Sequence, residues 1–249
     1  MKTNHIWGFA VAFWGVTFWS SLMFSQSEPL GRPQEAARAD TPVTRSARDI
    51  QPTLTLRVYN YAHLDSGLLT SAEKIATSIL KNAAEATVWV ECPLSSADFE
   101  RYPGCQQEMQ TTDFVIRLLT ASMASKAPVS NEPLGFALHC PDSGRGCVAN
   151  IFYAKVGELA SLKGGGSARF LGHAMAHELG HLLLGENAHS RNGVMRGVWS
   201  REDLNLMSWS ELTFTPRQCD QIRDSLLRRA KLEVLSESET VSTPTSNSQ

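Results

Sequence analysis

Apolar and polar residues first alternate regularly at Leu54. Residues 54–59 (LTLRVY) show a period of two, which is typical of a half-buried strand. Thr70 and Glu73 then have the spacing of a capping box, and the apolar residues from there to Ala83 recur with helical spacing. The pattern therefore predicts a strand followed by one amphipathic helix.

Four further segments are predicted as strands. They are Thr87–Cys92, Asp113–Leu119, Gly135–Cys140 and Val148–Tyr153. Asp113–Leu119 is apolar throughout except for one Arg, as expected for a strand in the middle of a sheet. The last two segments are joined by a turn, PDSGRG. The predicted order is strand, helix and then four strands.

Two helices are predicted after the last strand. The first has Ser167 as its N-cap, runs to Leu184, and stops at Gly185 in a left-handed conformation. A capped turn follows at residues 200–203, and a final amphipathic helix starts with a capping box at residues 215–218. With the strands, these helices predict an α+β fold.

The two ends of the chain lack this periodicity. Residues 6–24 (IWGFAVAFWGVTFWSSLMF) are uncharged, so residues 1–26 are predicted to be a signal peptide or an uncleaved N-terminal anchor. Residues 27–52 are predicted to be a disordered linker, and residues 236–249 a disordered tail. The folded domain is expected over residues 53–235, in an exported protein that is secreted, periplasmic or membrane-anchored with an extracytoplasmic domain.

Composition and cysteine content narrow the classes of function. The 249 residues include 23 Lys plus Arg against 25 Asp plus Glu, which does not fit a nucleic-acid binder. In an exported chain the five cysteines are material for disulfides. The sequence-local pairs Cys92–Cys105 and Cys140–Cys147 are the simplest expectation and leave Cys219 over, although the cysteines alone do not determine the connectivity.

The segment Ala176–Met195 (AHELGHLLLGENAHSRNGVM) carries the candidate chemistry. His177 and His181 are four residues apart on a predicted helix, so both imidazoles can bind one Zn²⁺. Glu178 directly follows His177, and its carboxylate can contact a metal-bound water without binding the metal itself. The pattern predicts zinc-dependent hydrolysis of a peptide bond by a metal-activated water, with Glu178 as general base and a peptide or protein as substrate.

The same segment resembles the metzincin peptidases, whose pattern is H-E-x-x-H-x-x-G-x-x-H followed by a turn that contains Met. The chain has these residues in the same order: His177, Glu178, His181, Gly185, His189 and Met195. The spacing is wider, because one residue is added before the glycine and one after it. His189 thus follows His181 by eight residues, where the family pattern has six.

This resemblance has implications for the fold and for the site. It implies a metzincin-like or zincin-like architecture, with a mixed twisted sheet of about five strands, a backing helix, an active-site helix and a C-terminal helix. It also implies that His189 is the third metal ligand, that Met195 is the floor of the site, and that the strand Gly135–Cys140 is the edge that pairs with an extended substrate.

Several alternatives remain open at this point. Glu186, Glu202 and Asp203 are other candidates for the third ligand, and a Glu202 ligand would give the thermolysin-like set of two His and one Glu. The chain could also be a non-catalytic zinc-binding module, or a membrane-tethered factor with one dedicated partner.

Three residues near the motif have structural interpretations. His173 is expected to pack against the site or to support its ligands. Gly180, inside the helix, fits the close approach of another backbone. Trp199 is expected in the core or at the rim.

Overall fold

The computed structural model describes residues 53–127, 134–138, 140, 144–185 and 187–241, with side chains as far as residue 235. Its strands are β1 Thr53–Asn60, β2 Ala86–Cys92, β3 Asp113–Leu119, β4 Gly135–Leu138 and β5 Cys147–Phe152. Its helices are α1 Ser66–Leu80, α2 Pro103–Gln106, α3 Ala121–Ala124, α4 Tyr153–Lys163, α5 Ser167–Leu184, α6 Arg201–Ser208 and α7 Pro216–Val241. A 3₁₀ turn covers Ser96–Arg101.

The five strands form one mixed sheet in the order β2-β1-β3-β5-β4. β1 pairs in parallel with β2 and β3, and β3 pairs in parallel with β5, whereas β4 pairs with β5 in the antiparallel direction. The predicted α+β fold is confirmed. β3 is the middle strand, as its continuous apolar sequence predicted, and β4 lies at one edge.

Helix α5 crosses the backing helix α1 at a glycine. A Cβ on Gly172 would lie 2.7 Å from the carbonyl oxygen of Ala72 and 2.8 Å from the side chain of Ile75. Leu171, Met175 and Leu179 of α5 are fully buried in the core. The close crossing and the buried stripe together fix α5, the helix that carries the two predicted histidine ligands.

The start of α1 differs from the prediction. The helix begins at Ser66, and the carboxylate of Asp65 accepts hydrogen bonds from the N–H groups of Gly67 and Leu68 at 2.9 and 3.2 Å. The expected capping box of Thr70 and Glu73 is therefore wrong, because Asp65, five residues earlier, is an equally good cap. Glu73 is instead buried within the helix. Burial, with Glu91 nearby, raises its pKa to about 7.

Helix α4 was not predicted. The predicted strand Val148–Tyr153 ends one residue early, at Phe152, and the chain turns directly into α4 at Tyr153. No side chain caps this helix start, and only Val156 and Ala160 are buried along it. With so short an apolar stripe and no cap, the segment lacks both sequence signals of a helix.

The two ends of α5 lie where expected, with different local chemistry. The helix runs over Ser167–Leu184, but the N-cap is Gly166 rather than Ser167. Gly185 has φ of +101° and ψ of 175°, so its φ is positive but its ψ is extended rather than left-handed helical. This conformation suits glycine and redirects the chain away from the helix axis.

The C-terminal elements follow their predicted caps. Ser200 and Asp203 form a capping box at the start of α6. At the start of α7, the N–H of Thr215 donates to Oε1 of Gln218 at 3.0 Å, and the N–H of Gln218 donates to Oγ1 of Thr215 at 3.3 Å. Helix α7 continues to Val241, six residues past the predicted domain boundary at residue 235. The added segment SESETV contains two Glu, which helices tolerate well. The rest of the predicted tail lies outside the described residues.

Two disulfides join the expected cysteine pairs, Cys92–Cys105 and Cys140–Cys147, and Cys219 is free and buried. Disulfides of this kind indicate an oxidising environment. Within the described part of the chain, no helix has the length and apolar character needed to cross a membrane. The predicted signal or anchor at residues 1–26 and the linker at residues 27–52 lie outside that part.

Candidate metal centre

Three histidine side chains converge at the C-terminal half of α5. His177 and His181 lie one turn apart, with their Nε2 atoms 3.2 Å from each other. His189 follows the helix, and its Nε2 lies 3.2 Å from that of His181. The ligand atoms of all three lie within 4.8 Å of one another. The structure thus brings together the two histidines predicted from helix geometry and the third that the resemblance implied.

The spacing of these nitrogens fits a shared cation. Two nitrogens bound tetrahedrally at about 2.0–2.1 Å from zinc are separated by about 3.3 Å. The His181 Nε2 lies 3.2 Å from each of the other two Nε2 atoms, which is close to that value. A ring nitrogen has one in-plane site, either an N–H or a lone pair, so Nε2 of His181 cannot hydrogen-bond to both neighbours at once. The His177, His181 and His189 group can therefore hold a metal ion.

The tautomer of His177 is set by the backbone. Its Nδ1 donates a hydrogen bond to the carbonyl oxygen of Val194 at 2.8 Å, which leaves the Nε2 lone pair directed into the group. Burial, assisted by His181 and His189, lowers the pKa of His177 to about 4. The ring is therefore neutral near pH 7, and a neutral imidazole is the form that binds metal.

Trp199 supports the same carbonyl. Its Nε1 donates to the oxygen of Val194 at 3.1 Å, and its ring lies edge-on to His177 with centroids 6.1 Å apart. His173 also packs against Trp199, at 6.2 Å between ring centroids, and is 1% exposed. The packing role expected for His173 is confirmed. Trp199 does more than fill the core, because it helps to hold the carbonyl that orients His177.

Met195 lies fully buried against α5 at Gly180. A Cβ on Gly180 would overlap Sδ of Met195 and would lie 3.0 Å from its Cε and from Cε1 of Phe214. The expected close approach at Gly180 is real, but a side chain makes it rather than a backbone. Because Gly180 has no side chain, Met195 can pack directly against α5 at this position.

We expect Gly180→Ala to destabilise the protein by about 1–3 kcal/mol, because the added methyl group displaces Met195 and Phe214. This cost exceeds the gain in helix propensity, which is about 1 kcal/mol. Gly157→Ala in α4 is the matched control, since nothing lies within 4 Å of its Cβ position. Thermal unfolding of both variants measures the difference. Equal stabilisation by the two substitutions would contradict the packing described here.

His189 is held by the loop that follows it. A Cβ on Gly197 would lie 3.1 Å from Nδ1 and 3.3 Å from Cε1 of the His189 ring, so the Gly197 backbone rests against that ring. The N–H of Ser190 donates to the carbonyl oxygen of Met195 at 2.9 Å. The loop after His189 therefore folds back on itself, which brings the Gly197 backbone into contact with the His189 ring.

Glu178 is buried next to the histidines and under the edge strand. It is 5% exposed, and burial raises its pKa to about 8. A Cβ on Gly135 of β4 would lie 2.9 Å from its Cγ and 3.1 Å from its Cδ. The same Cβ would overlap the backbone oxygen of Asn150, so both neighbours require a glycine at this point of β4. Gly135 was not singled out from the sequence, because its role depends on the contact between the two elements.

A cavity of about 750 Å³ opens over these groups. Its wall contains the three histidines and Glu178, together with Leu134–Ala137 along β4, one face of α4, and the loop segment Arg196–Trp199. The edge strand, the motif helix and the unpredicted helix α4 therefore share one cleft.

The three carboxylates considered as alternative third ligands are not found with the histidine group among the described residues. The carboxylate of Asp203 accepts from the N–H of Ser200 at 2.7 Å and pairs with Arg196 at 3.1 Å. Glu202 is exposed on α6 and does not belong to the group of potential ligands. Glu186 lies outside the described residues. Among the candidates that the structure describes, only His189 has its ligand atom beside those of His177 and His181.

Comparison with known proteins assigns no family. No protein-family model matches the chain. No curated protein matches it either. Fold and site together define an α+β protein with a mixed five-stranded sheet and a three-histidine group that can hold a metal ion.

Proposed function

We propose that this protein is a zinc-dependent peptidase of metzincin-like architecture. In this proposal His177, His181 and His189 hold Zn²⁺, and Glu178 is the general base. The observation that carries it is the convergence of three imidazole nitrogens beside a buried carboxylate, in a cavity bordered by an edge strand.

The ligand set supports zinc as the metal. Three neutral imidazoles with a fourth position left open are typical of catalytic zinc sites, whereas structural zinc sites have four protein ligands. A zinc ion held by these residues would supply Lewis-acid chemistry, which polarises a carbonyl oxygen and activates a water molecule for attack. The hydrogen bond from His177 to Val194 supplies the outer support that such ligands need.

Glu178 supplies the proton transfers. Its carboxylate lies in the same cavity as the histidines without belonging to the ligand group. A carboxylate oxygen of Glu178 takes the proton of the attacking water and then delivers it to the nitrogen of the leaving amine. Burial raises the pKa of Glu178 and favours its protonated form, whereas a cation bound by the three histidines would lower that pKa and favour the carboxylate that accepts a proton.

Strand β4 supports a role in binding an extended peptide. It is the outer strand of the sheet on this side, and its residues Gly135–Ala137 border the cavity. An extended substrate can pair with such an edge through backbone hydrogen bonds, which hold it without regard to side-chain identity. Paired in this way, a peptide would lie along the cavity that contains Glu178 and the three histidines.

The cellular location belongs to the same proposal. The two disulfides favour an oxidising compartment, and the apolar residues 6–24 fit a signal peptide or a membrane anchor. We therefore place the activity outside the cytoplasm, on peptide or protein substrates found there.

The direct test is cleavage of a mixed peptide library by the purified protein, with new termini identified by mass spectrometry. We expect one zinc per chain and cleavage that stops when a chelator removes the metal. Stoichiometric Zn²⁺ should restore it. Inhibitors of serine and cysteine peptidases should have no effect. Cleavage that survives metal removal would contradict the proposal, and zinc binding without any cleavage would point to a non-catalytic zinc-binding module.

A further inference from the structure

Helix α4 turns one complete face towards the cavity beside the histidine group. Positions i, i+3, i+4, i+7 and i+8 share one side of a helix. The residues of α4 at these positions all line the cavity: Lys155, Glu158, Leu159, Leu162 and Lys163. Val156 and Ala160, on another side, are buried in the core. The helix is thus anchored by one face and presents another to whatever enters the cleft.

Two large apolar side chains are unusually exposed in this cleft. Leu162 of α4 is 73% exposed, and Val198 in the loop after Met195 is 84% exposed. Both line the same cavity although they belong to different elements. Apolar side chains gathered around one cleft mark a binding surface. They can cover an apolar side chain of a bound peptide from two directions.

The charges along the α4 face favour an acidic partner. The whole chain has a net charge of −2, yet this face carries two lysines against the single Glu158. Neither lysine makes an ion pair within the described part of the chain. Arg196, across the cleft, is matched by Asp203. Lys155 and Lys163 therefore keep their charge available to a ligand.

We infer that α4 selects the substrate of this cleft, an extended peptide in which an apolar residue is flanked on both sides by acidic residues. Lys155 and Lys163 are eight residues apart, or about 12 Å along the helix axis. An extended chain covers that distance in about four residues. Acidic residues two positions before and two positions after the apolar residue can each pair with one of the two lysines. Leu159 and Leu162 then contact the apolar residue of the peptide. This inference rests on the proposed peptidase function.

The test measures peptide binding to the full-length, zinc-loaded Glu178→Gln protein by fluorescence anisotropy at low salt. The peptides share a central leucine and carry Glu, Gln or Lys at both positions two residues away. We expect the Glu peptide to bind about 5- to 20-fold more tightly than the Gln peptide, with the difference shrinking as salt is added. In the double variant Lys155→Glu with Lys163→Glu, the Lys peptide should bind best.

The double variant Lys74→Glu with Lys81→Glu is the matched control. It makes the same charge change at similar spacing, at Lys74 in α1 and at Lys81, the C-cap of α1, away from the cavity lining, and should keep the preference for Glu within about twofold. Equal binding of the Glu and Gln peptides, or an equal effect of the two double variants, would overturn the inference. Wild-type protein is incubated with the same peptides. Charge-dependent binding without any cleavage would contradict the peptidase function and would leave α4 as the surface that selects a bound peptide.

Discussion

Replacing Glu178 with glutamine is expected to lower the rate of peptide hydrolysis by about 100- to 10,000-fold, the usual contribution of general acid–base catalysis. Glutamine keeps the size of the side chain in its place under Gly135, where the fit is close. It cannot accept the proton of the attacking water. Because Glu178 is not one of the three potential ligands, the variant should still bind one zinc ion per chain.

Steady-state cleavage of a fluorogenic peptide and metal analysis of the same sample measure the two effects. Glu178→Ala should lose activity to the same extent, and Glu202→Gln, an exposed residue of α6, should stay within about twofold of wild type. Full activity in Glu178→Gln would remove the residue from the mechanism. Loss of zinc in that variant would show that Glu178 binds the metal instead.

Replacing His189 with alanine is expected to weaken zinc binding by at least about 100-fold, since loss even of a residue that supports a ligand costs 10- to 100-fold. The Nε2 of His189 lies 3.2 Å from that of His181, so its removal opens one of three protein positions around the ion. Hydrolysis should be lost along with the metal. Competition with a chromophoric chelator gives the dissociation constant, and circular dichroism checks the fold.

Two further variants separate His189 from the carboxylate alternatives. Glu202→Ala should bind zinc as wild type does, because this side chain lies outside the group of potential ligands. Glu186→Ala tests the one candidate that lies outside the described residues. An unchanged zinc dissociation constant in His189→Ala, together with a weakened one in either Glu variant, would transfer the third position to that carboxylate.

Most elements of the sheet could be predicted from local pattern. β1 has the alternation of a strand with one buried side, and β3 has the unbroken apolar run of a central strand. Elements with weak local signals were missed or shifted. Helix α4 has no side-chain cap and a short buried stripe, and α1 uses Asp65 as its N-cap although Thr70, five residues later, has the spacing of a capping box. The choice between two such patterns depends on packing against the rest of the domain.

In the candidate site, too, some residues could be predicted from local sequence pattern and others could not. Helical periodicity alone places His177 and His181 on one face with Glu178 beside them. The place of His189 required the tertiary structure, because Gly185 redirects the chain and the Gly197 backbone supports the ring. Trp199 and Gly135 carry no sequence signal for their roles, since each depends on contact with an element distant in the chain.

By itself, then, the sequence determined the α+β class and the two histidines and one glutamate of the motif helix, and it favoured the two sequence-local cysteine pairs. These follow from interactions between residues close together in the chain. Only the tertiary structure decided that His189 meets the other two histidines and that Met195 fills the space at Gly180. It also decided that α4 and β4 border one cavity. Such features arise from packing between distant segments, and no local period or spacing encodes them.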